Sequence, residues 1–112
     1  MKITQQAQDG TINLAIAGRL DAVSAIEADK EFGKVLDAGN DRILIELSQL
    51  EYISSAGLRV LLVVAKRIQQ KGGKVVLCAM VPNVKEVFEI SGFSSIFKIF
   101  TTQGEASAFL KA

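Results

Sequence analysis

The 112-residue sequence predicts a single α/β domain: a mixed sheet with an N-terminal antiparallel hairpin, mostly parallel strands after it, and about four helices. Three observations predict it. Short β-branched apolar runs alternate along the chain with longer runs of helical period, the order expected of parallel strands joined by right-handed crossovers. Asp9-Gly10 separates two strand-like segments, which is a hairpin signal. Ile43-Leu44-Ile45-Glu46-Leu47 is almost continuously apolar, as suits a central strand covered on both faces.

Taken in order, residues 2–8 and 11–18 form the antiparallel pair, and Gly18-Arg19-Leu20-Asp21 reads as a loop leaving the second strand. Ser24-Ala25-Ile26-Glu27 fits a capping box, with Ser24 as N-cap and Glu27 reaching back. The helix that follows sets Ala25, Ala28, Phe32, Val35 and Leu36 on one stripe and ends at Gly39-Asn40, residues that tolerate positive φ. After the central strand, a second helix runs from Ser55 or Ala56 to about Lys71 and stops at Gly72-Gly73. Lys74 to Met80 is a further apolar strand. Pro82 opens a third helix with Val84, Val87 and Phe88 as its buried stripe, and Gly92 closes it. Ile96 to Phe100 reads as the last strand and Gln103 to Leu110 as a short terminal helix. That makes five strands. No repeat, low-complexity segment or linker interrupts them, so residues 1–112 read as one domain.

Composition removes several classes of function. Apolar residues make up 49% and charged residues 22%, an ordinary globular balance. A net charge of +1 offers no electrostatic footprint for direct binding of nucleic acid. The apolar runs are far shorter than the roughly 20 residues that span a bilayer, so membrane insertion is not expected. The first residues turn polar at once and lack an apolar signal core; a cytoplasmic location is the expectation. The one cysteine, Cys78, lies inside an apolar run and reads as a buried structural thiol. There is no histidine, so the commonest general base, the usual Ser-His and Cys-His pairs and the commonest zinc ligand are all missing. No metal or cofactor is expected. An enzyme built on Ser55 would have to use Lys66 or Lys74 as its base, and a non-enzymatic role is preferred.

The chemistry-bearing segment is Tyr52-Ile53-Ser54-Ser55-Ala56-Gly57-Leu58-Arg59. It places two hydroxyls at a helix N-terminus, beyond the carboxyl end of a strand, where unpaired N–H groups and a partial positive charge suit an anion. On the residues alone, Ser54 and Ser55 can be a cap and a turn residue, or one can carry a phosphate. Gly57 permits close approach of the helix start to a neighbouring strand. Asp21 can cap a turn or add an acidic group to a site at the strand ends, where ligands of parallel sheets collect. On the helical wheel Leu58, Leu61, Leu62, Ala65 and Ile68 face the sheet. Arg59 lies four residues after Ser55 and Val63 continues that edge. Val60 and Val64 carry apolar surface further around the helix, to a side that is normally polar. This surface either meets a partner or is covered by other elements.

Ser54-Ser55-Ala56-Gly57-Leu58, together with Gly18-Arg19-Leu20-Asp21-Ala22, the spacing between them and the order of elements, resembles the anti-sigma factor antagonists of the STAS-domain family over essentially the whole chain. The resemblance implies a phosphorylatable serine at Ser55. Ser54 is an alternative, because it stands where the family often has Asp. The resemblance also implies a partner-facing role for Asp21 and structural roles for Gly57 and Leu58. Asp21, Ser54, Ser55, Gly57, Arg59 and Val63 make the expected partner-binding set. The implied mechanism is partner switching. The unphosphorylated domain binds an anti-sigma factor that is also a serine kinase, phosphorylation of Ser55 releases it, and a PP2C-type phosphatase resets the switch. Such a domain is expected to be monomeric when free. The same domain type also serves as an accessory subunit of membrane transport complexes, where it acts as a structural or regulatory binding module.

Overall fold

A computed structural model describes residues 1–111. Six strands and four helices follow one another as β1 (Lys2–Gln8), β2 (Thr11–Leu20), α1 (Ser24–Asp37), β3 (Arg42–Glu46), β4 (Leu50–Ile53), α2 (Ser55–Gln70), β5 (Lys74–Cys78), α3 (Pro82–Ile90), β6 (Lys98–Phe100) and α4 (Gln103–Lys111). The sheet runs β1-β2-β3-β5-β6, with β4 attached to β2 off this path. β1 and β2 are antiparallel; β2, β3, β5 and β6 are parallel. The hairpin closes through Asp9 and Gly10, both at positive φ (52° and 80°), the two-residue turn whose twist matches that of the flanking strands.

Both faces of β3 are covered, as its unbroken apolar run requires. Ile43, Ile45 and Leu47 belong to the larger core with α1, α2 and α3. Leu44, Val76 and Cys78 meet Ala106 and Leu110 of α4 on the opposite face. The α1 stripe of Ala25, Ala28, Phe32, Val35 and Leu36 is buried as predicted. Burial, reinforced by the charge of Glu46, pushes the Cys78 thiol up to about 11, so it stays protonated and inert at neutral pH.

Four expectations are corrected. The stretch Gly18–Leu20 is strand, not loop: β2 changes partner at a register shift between Gly18 and Arg19, leaving β3 and pairing with β4. β4 itself went unforeseen, because it is four residues long and exposed Glu51 and Tyr52 separate its two buried residues, Leu50 and Ile53. The sheet therefore has six strands rather than five. The last strand is three residues long, because a 3-10 turn at Phe93–Ser95 takes up the chain before it. Of the two readings left open for Val60 and Val64, cover by another element holds: both are buried in the larger core, where α2 packs on α1.

The fourth correction concerns the start of α1. Ser24 is not its cap, and Glu27 is exposed. The Ala25 N–H donates to the Asp21 carbonyl at 2.8 Å, a helical bond that makes Asp21 the effective N-cap. The Ser24 N–H donates to Asp21 Oδ1 at 3.0 Å, and the Asp21 N–H donates to Ser24 Oγ at 2.9 Å. This is a reciprocal capping box placed three residues earlier than the sequence suggested. Asp outranks a Ser followed by Glu here because the strand ends at Leu20 and the turn must begin at once.

Candidate functional site

The site is assembled where β2 and β4 end together. β4 runs beside the last residues of β2, with Arg19 opposite Tyr52 and Leu20 opposite Ile53. The Ser54 N–H then donates to the Leu20 carbonyl at 2.9 Å, so the segment entering α2 lies against the segment entering α1. This single backbone bond brings Asp21, Ser54 and Ser55 into one neighbourhood.

The two serines have different jobs. Ser54 is the N-cap of α2, in extended conformation, and its Oγ accepts from the Gly57 N–H at 3.3 Å. Its carbonyl accepts the first helical bond from Leu58 at 2.9 Å. Ser55, the first residue of the helix, is exposed. Gly57 is buried one turn in, against Leu20 and Ile53. Replacing Ser54 by Ala is expected to cost about 1 kcal/mol of stability through the lost cap and to leave the Ser55 hydroxyl as accessible as before. Urea denaturation checks the first half, and phosphate incorporation at Ser55 the second.

Asp21 is half-exposed, but its carboxylate is turned into its own loop. Oδ1 accepts from the Val23 N–H at 3.1 Å as well as from Ser24. The Ser24 N–H, above all, holds the carboxyl below its ordinary value, with further help from the Ser24 hydroxyl, Val23 and the Arg19 charge. A depressed folded-state value means that this contribution is complete above the unfolded carboxylate value of about 4 and is lost as pH falls through the folded one. The wild-type urea midpoint should therefore decline with acid below about pH 4, and Asp21→Asn should show a shallower decline over that range.

Arg59 and Val63 lie further along α2 and are both exposed. With Ile26 of α1 they line an open groove of about 410 Å³ between the two helices. Its floor is Ala25, Ala56 and Val60, and Asp29, Lys30 and Arg59 form its charged rim. Val23 is 82% exposed, Ile26 65% and Val63 42%, and Ile26 and Val63 share this groove with Ala56, the residue after Ser55, so it carries an exposed apolar patch. Sequence reasoning missed Val23 and Ile26. Their signal was present, since both are large apolar residues of the α1 segment that fall off its buried stripe. It also missed Arg19, whose guanidinium stacks on Tyr52 at 4.2 Å from the ring centroid. That pair depends on the β2–β4 register and has no local sequence signature.

Among the described residues no helix is long and apolar enough to cross a membrane. The family model for the STAS domain matches residues 2–106. BtrV of Bordetella bronchiseptica, described as a candidate anti-sigma factor antagonist, is 42% identical over 111 residues, covering 99% of this chain and 96% of its own. The anti-sigma-B factor antagonist of Listeria monocytogenes is 32% identical over 95 residues, covering 84% and 82%. The crystal structure of a candidate anti-sigma factor antagonist from Thermotoga maritima superposes with a TM-score of 0.93 at 26% identity, covering 98% of this chain and 95% of that one.

Proposed function

The chain belongs to the STAS-domain family, and from that premise we propose that it is a cytoplasmic anti-sigma factor antagonist working by partner switching, with no catalysis of its own. The unphosphorylated domain binds an anti-sigma factor with serine-kinase activity and so frees a sigma factor. Transfer of a phosphoryl group from ATP to Ser55 releases the domain, and a PP2C-type phosphatase restores it.

The observation that carries this reading is the division of labour between the two serines. The Ser54 hydroxyl caps α2, whereas Ser55 is exposed at the helix N-terminus, one residue before Ala56 of the open groove between α1 and α2. Phosphorylation at Ser55 adds about −1.5 to −2 charges at neutral pH. The helix tolerates this, since the dipole and free N–H groups of its first turn favour an anion. An interface built around a neutral hydroxyl does not. In this reading Asp21 holds the α1 entry in place and Ser54 and Gly57 hold the α2 entry, while Ser55, Arg59 and Val63 meet the partner directly.

Affinity capture from native lysate with wild-type and Ser55→Glu baits tests it. Recovery of an ATP-binding serine kinase by the wild type alone supports the switch. Equal recovery of a transport ATPase by both baits would make the chain an accessory subunit and Ser55 an ordinary helix residue.

A further inference from the structure

A second groove, of about 540 Å³, lies on the far side of α2. It starts at Leu62 and ends near Gln69, so the helical rise of 1.5 Å per residue sets its far end about 20 Å from Ser55. One wall is Leu62 and Ala65 of α2, the other is Phe109 of α4, and Val75 and Ile96 line it between them. The groove exists because β6 is too short. In β5 the Lys74 N–H donates toward β3, to Asp41, and the Ala79 N–H donates toward β6, to Phe100. Alternation along the strand therefore aims the Val75 N–H at the β6 side, but pairing with β6 begins only at Val76 opposite Lys98. A backbone donor and a stretch of apolar wall are left uncovered at the edge of the sheet.

The charge around this groove has one sign. Lys66, Lys74 and Lys98 line it, and no carboxylate does. Lys74 Nζ and Lys98 Nζ lie 5.2 and 5.7 Å from the centroid of the same Phe109 ring. None of the three lysines is among the ion pairs of the described residues, which are Lys34–Glu31, Arg67–Asp37 and Lys111–Asp9. In a chain of net charge +1, three ammonium groups with no ion-pair partner among the described residues, set on one apolar groove, form a local field for an anion.

We propose that this groove binds a single-chain carboxylate amphiphile, a free fatty acid, with its head on Lys74 and Lys98 and its chain along the apolar walls. Donors dominate the polar lining, and among the described residues Gln69 supplies its only side-chain acceptor. That inventory suits a ligand with an acceptor head and a featureless tail better than one with donors to satisfy. The volume lies within the ordinary range for small-molecule sites.

The test is titration of the isotopically labelled full chain with sodium laurate, kept below its micellar concentration and followed by NMR. Saturable shifts centred on Val75, Ile96 and Phe109 are expected. Binding should weaken at least tenfold in the exposed-surface double variant Lys74→Gln/Lys98→Gln. It should also weaken at least tenfold for the methyl ester, which lacks the charge, and for acetate, which lacks the chain. Any of four results overturns the proposal: no saturable shift, shifts centred elsewhere, undiminished binding by the double variant, or inorganic phosphate binding as tightly as laurate. Co-sedimentation with phosphatidylglycerol vesicles in the absence of laurate binding would overturn it too, and would assign the lysines to a membrane surface.

Discussion

Ser55→Glu is expected to lower affinity for the anti-sigma factor by about a hundredfold, roughly 2.7 kcal/mol, while Ser55→Ala binds as tightly as the unphosphorylated wild type and no longer responds to ATP. The magnitude follows from the surroundings. Ser55 is exposed in the free domain and directly precedes Ala56, which lines the groove with Ile26 and Val63. A partner seated along that groove and over the helix start covers the serine. Burying a charge without a counter-ion costs several kcal/mol, so even a partly desolvated carboxylate reaches the stated loss. The alanine variant removes only a hydroxyl that makes no hydrogen bond within the described residues. Isothermal titration calorimetry against the purified kinase, with ADP and with ATP, separates the cases. Equal affinities for all three proteins would dispose of the switch. Parallel thermal melts guard against misfolding, and none is expected, because a negative charge at the first residue of α2 favours the helix.

Gly57→Ala should cost about 3 kcal/mol of stability and abolish partner binding as well. An added methyl would stand 2.7 Å from the Leu20 carbonyl oxygen, 2.8 Å from Leu20 Cγ and 2.9 Å from Ile53 Cγ1. Neither residue can give way. Both are buried, and the Leu20 carbonyl is the acceptor that holds Ser54. Overpacking of this kind typically costs 1–3 kcal/mol, and a clash with fixed backbone belongs at the upper end. Relief can come only by lifting the first turn of α2 off the strands, which lengthens the Ser54–Leu20 bond and displaces Ser55. The urea midpoint reads the stability, and calorimetry reads the binding. Full stability with full binding would mean that the helix start is freer than its packing implies. The same substitution at Gly10, where nothing lies within 4 Å, would meet no such clash and would strain only the turn.

Much of this was legible in the order of residues. The hairpin turn, the covered central strand, the stripe of α1 and the ends of α2 all follow from local pattern, because each is decided by residues a few positions apart. What was lost depends on partners distant in sequence. β4 has too few buried residues to announce itself and is a strand because β2 bends to meet it. For Val60 and Val64 the pattern left both a partner surface and cover by another element open, and α1 supplies the cover. The shifted capping box shows the same limit within a single loop: Ser24 followed by Glu27 is a good signal, and Asp21 wins because the strand stops where it does. At the site the serines and Gly57 were visible from their spacing. The apolar patch and the Arg19–Tyr52 stack were not, since their meaning comes from what the fold leaves uncovered or brings across two strands.

The change of partner along β2 also bears on how the domain breathes. β3 is flanked by strands on both sides, whereas β4 has a single strand neighbour over three positions, Gly18, Arg19 and Leu20. Its outer edge is held by one side chain, Asn83, whose amide donates to the Glu51 carbonyl at 2.7 Å. Opening this short ladder breaks few bonds and leaves β1, β3 and β5 paired. Amide exchange at residues 50–53 will therefore proceed through local opening, with protection well below that of residues 43–46, which exchange only when the whole sheet comes apart. The segment leading into α2 is thus the part of the sheet that opens at a small fraction of the global unfolding free energy. The central strands hold the rest of the molecule together while that happens.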